Sequence, residues 1–191
     1  MIITFNGPAG SGKSTIAKKV AEKLGWPHYY IGGIRRQKAQ EKGMTLAEYN
    51  KLGENTPETD YDVDEYQKKL SLENDNFVIE GRTSWHIIPN SLKIYLDVAE
   101  MEGAKRVYNE LSENSNRNEA KDLNSVEDVL KSHRERKNSD ILRYKKYYNI
   151  DVYNTKNFDF VLDTTDLTRE QVFENTYDFI KKQLEKTDNN K

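Results

Sequence analysis

The chain has 191 residues, with 30 lysines and arginines against 32 acids, for a formal charge of −2. It has no cysteine, which removes disulfides, thiolate zinc sites and cysteine nucleophiles together. So neutral a balance leaves no electrostatic footprint for nucleic acid, and no apolar run approaches the ~20 residues of a membrane helix. A soluble, cytoplasmic, single-domain protein spanning residues 1–191 is therefore expected.

Short apolar runs alternate with long amphipathic ones. Residues 2–6 read as a buried strand, followed by a helix with Ile16, Val20 and Leu24 on one face. Residues 28–31, 77–79, 92–96 and 158–162 supply four more expected strands. Helical periodicity runs through Met101, Ala104, Val107 and Leu111, then Val126, Val129 and Leu130, and last Val172, Thr176 and Ile180. Three helix starts pair a hydroxyl residue with an acid or amide three positions on: Thr45 with Glu48, Ser125 with Asp128, and Thr168 with Gln171. Alternation of strand and helix predicts a parallel sheet covered on both faces.

The first strand runs into Gly7-Pro8-Ala9-Gly10-Ser11-Gly12-Lys13-Ser14, which fits G-x-x-x-x-G-K-[ST]. Strand before and helix after are the context this phosphate-binding motif requires. Glycines let successive N–H groups turn inward around an anion, and the helix start adds partial positive charge. Lys13 would reach the β- and γ-phosphates of ATP or GTP, and the Ser14 hydroxyl would ligate Mg²⁺. No N-K-x-D or L-S-G-G-Q run appears, which argues against a switch GTPase and a transporter ATPase.

Ligands of open parallel sheets sit beyond the carboxyl ends of the strands. There the sequence places Gly32, Arg35 and Arg36 after the second run, and Glu80-Gly81-Arg82 after the third. Arginines beside a triphosphate site point to a second anionic substrate held by forked donors. Glu80 is placed to hold a water of the Mg²⁺ shell. Residues 131–146 carry seven basic residues against two acids, and Arg136, Asp140 and Arg143 fall at i, i+4 and i+7 on one helix face. A cationic face beside the polar stretch 113–124 suits a lid closing over phosphates. His28, His86 and His133 are too scattered for a metal site, and the pairs Tyr29-Tyr30 and Tyr147-Tyr148 are read as packing at element ends.

With these residues in place, the chain resembles the nucleoside monophosphate kinases, and among them the cytidylate kinases of the short, archaeal-like branch. The likeness covers nearly the whole chain. It is carried by the loop 7–15, the Gly32 to Arg36 element, Met44-Thr45-Leu46, Val78 to Arg82, Leu92 to Asp97, Arg136-x-x-x-Asp140-x-x-Arg143-Tyr144, and Val161 to Thr165. The resemblance implies a P-loop three-layer α/β/α fold with a five-stranded parallel sheet. Its core would be residues 1–31, 76–112 and 158–185, with an NMP-binding helical insertion over 32–75 and a short helical lid within 113–150.

The implied cofactors are ATP and Mg²⁺, and the implied substrates are ATP and a nucleoside monophosphate, CMP or dCMP first, with no nucleic-acid or membrane partner and a monomeric state. By the same likeness, Gly7, Pro8, Ala9, Gly10, Ser11, Gly12, Lys13, Ser14 and Thr15 would hold ATP. Gly32, Arg36 and Arg82 would hold the acceptor monophosphate, Arg136 and Asp140 would read the cytosine ring, and Arg143 would lie with the phosphates. Lys13, Arg82, Arg136 and Arg143 would spread positive charge over the transferring group.

The chain departs from the family pattern at Ile31, Gly33 and Thr83, and an arginine common in the family is missing near Tyr66-Gln67. Anion-handling residues are kept, while groups that would read base and sugar are changed. Other acceptors (UMP, AMP, a small hydroxyl compound) and a non-catalytic ATP-binding module remain open at this point. A hydroxyl acceptor would want a carboxylate as base, and Gly33 and Thr83 supply none.

Overall fold

Short, nearly continuous apolar runs in the strands dictate a sheet buried on both faces, and the computed structural model, which describes residues 1–113 and 123–188, has that form. Strands β1 (Ile2–Asn6), β2 (His28–Tyr30), β3 (Phe77–Glu80), β4 (Leu92–Asp97) and β5 (Phe160–Asp163) make one parallel sheet in the order β2-β3-β1-β4-β5. Ile3, Phe5, Val78, Ile94 and Leu96 face α1 (Lys13–Leu24) and α8 (Arg169–Asp188), meeting Ile16, Val20, Val172 and Ile180. Phe77 and Ile79 face the opposite layer of α2 (Ile31–Glu41), α4 (Glu58–Glu73) and the short α5 (Ser84–Ile87), meeting Ile31, Val63, Leu70 and Ile88. Helices α3 (Leu46–Gly53), α6 (Glu100–Glu113) and α7 (Val126–Tyr148) complete the three layers. Among the described residues no helix is long and apolar enough to cross a membrane.

The three expected helix starts form as caps. Thr45 Oγ1 accepts from the Glu48 N–H while Glu48 reaches back to the Thr45 N–H, and Thr168 and Gln171 do the same. Ser125 Oγ accepts from the Asp128 N–H at 3.1 Å. Strand ends shift in ways that matter to the site. Ile31, expected in a strand, opens α2 instead, so Gly32, Arg35 and Arg36 are helical. β3 and β4 each run one residue further than the apolar pattern, carrying Glu80 and Asp97 to the sheet edge where ligands bind. The fifth strand starts at Phe160 rather than residue 158, after a 3-10 turn over Thr155–Asn157.

Within the region 113–150, where a helical lid is expected, the main element is a 23-residue helix, α7, with Val129, Leu130, Asp140, Arg143 and Tyr144 buried. The apolar side of α7 packs on α6 through Val107 and Ala104. Residues 114–122 of that expected lid lie outside the described residues.

The phosphate-binding loop is seated by close backbone approaches. At Gly10, φ is +78°, and a Cβ would stand 2.2 Å from the Gly103 carbonyl oxygen of α6. Gly103 itself has no room: its Cβ would lie 2.8 Å from the Ala9 carbonyl oxygen. The loop thus rests directly on the first turns of α6, which only two facing glycines permit. Gly12 has a φ of +81° but open space around it. Gly12→Ala is therefore expected to cost only the left-handed strain, about 1–2 kcal/mol, and Gly10→Ala to cost about 1–3 kcal/mol more from overpacking. Urea unfolding at unchanged m-value measures both, and equal losses would remove the packing argument.

Candidate active site

The carboxyl ends of β1, β3 and β2 open into a cleft lined by polar and charged side chains from several elements. Lys13 and Ser14 line it from the loop, Arg35 and Arg36 from α2, Arg82 from the end of β3, and Arg136 from α7. Four separate elements therefore aim cationic side chains at one volume. The Lys13 ammonium donates to the Pro8 carbonyl at 3.1 Å, folded into its own loop. Ser14 Oγ donates to Glu80 Oε2 at 2.5 Å.

Glu80 is almost fully buried, and its other oxygen, Oε1, makes no hydrogen bond within the protein, although His28 Nε2 stands 3.2 Å away. A hydroxyl and an orphaned carboxylate oxygen at the loop fit a hydrated divalent cation. No group of three or more histidines and acids among the described residues forms a metal cage. That donor set suits Mg²⁺, which keeps several waters and takes its remaining oxygens from nucleotide phosphates. His28, an ordinary strand residue by sequence, is in fact the neighbour of this carboxylate.

The arginines are anchored by buried carboxylates. Arg82 Nε donates to Asp140 Oδ2 at 3.0 Å, and a terminal N–H of Arg82 donates to the Gly7 carbonyl, tying the end of β3 to the loop. Arg143 donates to Asp140 Oδ1 and to Asp60 Oδ1. Arg35 donates to Asp60 Oδ1 at 2.8 Å, to the Thr59 carbonyl at 2.9 Å and to Asn50 Oδ1 at 2.8 Å. Tyr153 donates its hydroxyl to Asp140 Oδ2 at 2.8 Å, and its ring lies under the Arg82 guanidinium at 5.2 Å. Burial by itself would push the Asp140 carboxyl up; Arg143, Arg82 and Arg136 more than reverse this and hold it down at about 2.

These contacts bear on two of the expected residue roles. Asp140, expected at the cytosine ring, has both oxygens committed to Arg82, Arg143 and Tyr153, so it braces the arginines. Arg143, expected among the phosphates, has a side chain with 0% exposure between Asp60 and Asp140 and is absent from the cleft wall. Gly33 and Thr83 supply no carboxylate, but α4 brings those of Asp60 and Asp64 to the cleft.

Arg36 lies where expected, with a terminal N–H donating to the Gly32 carbonyl at 3.2 Å and another bond to the Tyr30 hydroxyl. Asp60, Asp64, Tyr153 and the buried role of Arg35 are not marked by any sequence motif. The adjacent pair Arg35-Arg36 was the available signal: neighbours on a helix point about 100° apart, so one turns into the protein and one toward the cleft mouth. Tyr30 and Tyr148, read as packing, both bond polar groups of the cleft.

Three comparisons bear on this geometry. A model of the cytidylate kinase-like family matches residues 2–166. The cytidylate kinase of Methanocella arvoryzae is 36% identical over 165 residues, covering 86% of this chain and 88% of the relative. That of Pyrococcus horikoshii is 37% identical over 174 residues, covering 91% and 84%. Among solved structures, the shikimate kinase of Bacteroides thetaiotaomicron superposes with a TM-score of 0.62 at 14% identity, covering 97% of this chain and 98% of the other, a likeness of fold alone.

The carboxylate–guanidinium cluster makes two measurable demands. Arg143→Met leaves Asp60 and Asp140 facing each other without their shared cation, and an unpaired buried charge costs about 3–5 kcal/mol. Arg36→Ala, at a partly exposed position, should cost under about 1 kcal/mol. Unfolding curves of both variants check the ranking, and a loss for Arg143→Met no larger than for Arg36→Ala would contradict it. Asp140 has a folded value of about 2, below its ordinary value near 3.8, so its contribution is present above pH ~4 and is lost as pH falls toward 2. Asp140→Asn should lower stability at neutral pH by about 2 kcal/mol and flatten the acid limb between pH 4 and 2. An unchanged slope in acid titrations followed by circular dichroism would contradict this.

Proposed function

The chain belongs to the cytidylate kinase-like family, and on that premise we propose how its cleft residues carry the terminal phosphate of ATP to CMP. The protein is a nucleoside monophosphate kinase with ATP as phosphate donor. The observation that carries the residue assignments is the convergence of Lys13, Arg36, Arg82 and Arg136, from four elements, on one cleft beside the phosphate-binding loop.

The acceptor phosphate is largely dianionic near neutral pH, since its second pKa is about 6, so it needs no general base. It needs alignment and neutralisation of charge, which is the bulk of phosphoryl-transfer catalysis. Backbone N–H groups of residues 7–15 and the start of α1 hold the donor phosphates, with Lys13 swinging from the Pro8 carbonyl to the β- and γ-oxygens. Arg36 and Arg82 bind the acceptor phosphate. Arg82, tied to both Gly7 and Asp140, spans donor and acceptor and is the group best placed to follow the transferring phosphate. Arg136 adds charge from α7. Arg143 and Asp140 act as positioning residues: they hold Arg82 in place and touch no phosphate themselves. Ser14 and Glu80 would hold Mg²⁺, which supplies neutralisation across the β- and γ-oxygens when bound.

Coupled release of ADP, measured against CMP, dCMP, UMP, AMP, GMP and a shikimate-like alcohol, tests the assignment of acceptor. CMP and dCMP are expected to lead. Lys13→Ala and Arg82→Ala are each expected to lower kcat/KM for CMP about a thousandfold, the scale of a lost transition-state cation. Undiminished turnover in either variant would contradict the role given to that residue.

A further inference from the structure

Four carboxylates line the cleft, and three have evident charged or metal-side duties: Asp60 and Asp140 bind guanidinium groups, and Glu80 stands beside Ser14. The fourth, Asp64, is different. It is buried at 5% exposure, yet its donors are all uncharged: Gln67 Nε2 at 2.8 Å and Thr83 Oγ1 at 2.7 Å on Oδ1, and the Tyr148 hydroxyl on Oδ2. Gln67 is itself held by Ser84, whose hydroxyl donates to Gln67 Oε1 at 2.6 Å. The carboxylate is therefore oriented from α4, from the end of β3 and from α7 at once. Burial raises its carboxyl above the ordinary value, and the Tyr148 and Thr83 hydrogen bonds offset this only in part. A buried carboxylate with one acceptor position to spare and no cation bonded to it gains from any N–H that reaches it.

Its place in the cleft says what brings that N–H. On α4, Asp60, Val63 and Asp64 stand at i, i+3 and i+4, and all three line the cleft. Asp60 lies at the guanidinium cluster. Asp64 sits one helical turn further along, about 5.4 Å, beyond the apolar side chain of Val63. Ile31 adds a second apolar wall. A planar ring between Val63 and Ile31, with its phosphate at Arg36 and Arg82, would turn its polar edge toward Asp64.

We propose that Asp64 is the residue that selects cytosine, its carboxylate accepting a hydrogen bond from the exocyclic amine of the acceptor base, with Thr83, Gln67 and Tyr148 as its positioning residues. This deepens the reading that the acceptor is CMP and rests on it. Uracil carries a carbonyl oxygen where cytosine carries the amine. Against Asp64 that oxygen finds a second acceptor in place of a donor, which leaves both groups unpaired in a buried site.

The test is the ratio of kcat/KM for CMP to that for UMP at saturating ATP, in the wild-type chain and in Asp64→Asn. The substitution keeps the shape and lets an amide N–H face the uracil oxygen. The ratio is expected to fall about tenfold to a hundredfold, the discrimination of one well-placed base contact, with KM for ATP held within about twofold. Loss of stability alone lowers both rates together and leaves the ratio unmoved. Should Asp64→Asn fail to fold, Thr83→Val, which releases Oδ1 from one anchor, is read in its place, with a fall of about threefold or more expected. An unchanged ratio in the variant that folds overturns the role of Asp64 while leaving CMP phosphorylation standing. A wild-type chain that phosphorylates CMP and UMP equally well overturns it too, and one that phosphorylates neither removes the CMP reading and this inference together.

Discussion

The structure turns on how several like charges are kept in one poorly hydrated space. Arg35, Arg82 and Arg143 are all largely buried, and three guanidinium groups so placed would repel one another at real cost without counter-charge. Asp60 and Asp140 supply it, each shared between two arginines. Lys13, Arg36 and Arg136 add further cationic side chains to the cleft wall, where Asp64 and Glu80 also stand, so substrate binding draws on the same electrostatics that hold the helices together. Buried ion pairs are weak evidence for stability in themselves. Here they fix guanidinium geometry, which phosphoryl transfer depends on.

The same cluster is the seam between layers. Asp60 comes from α4, Arg35 from α2, Arg143 and Asp140 from α7 and Arg82 from the end of β3. Gly53 at the end of α3 admits the stem of Arg143, since a Cβ there would lie 3.1 Å from Arg143 Cδ. The Tyr147 hydroxyl donates to the Gly53 carbonyl at 2.7 Å, closing α7 onto α3. Helices that would otherwise only cover the sheet are thereby locked around the site. On the donor side, Arg106 of α6 donates to the Thr164 carbonyl at 2.8 Å and the Thr165 carbonyl at 2.9 Å, joining α6 to the loop after β5 next to the phosphate-binding loop.

An architecture shared with shikimate kinase at 14% identity leaves the acceptor undecided, because this fold serves several phosphate acceptors. Specificity belongs to the site rather than to the fold. In this chain one wall of the cleft is built by α4, with an arginine-bound acid at position 60, an apolar residue at 63 and an acid held by neutral donors at 64. Two of those donors, Thr83 and Gln67, fall at or beside positions where the sequence departs from the cytidylate kinase pattern.

The sequence by itself determined the phosphate-binding loop, the parallel sheet, the helix caps and the identity of most cationic residues, because each is written in local order: glycine spacing, apolar period and residue type. Arg36, Arg82 and Arg136 were legible as cleft residues for that reason. Only tertiary structure decided which charges meet. Arg143 and Arg136 lie on one helix, yet one is sealed between two acids and the other lines the cleft; Asp140, a base reader by family resemblance, is bonded by Arg143 of its own helix and by Arg82 from the end of β3. Asp60 and Asp64, ordinary acids in an acidic helix, became central only once β3 and α7 were folded against α4. The physical reason is that a buried charge takes its role from its partners across the fold, and partners tens of residues apart leave no trace in local pattern.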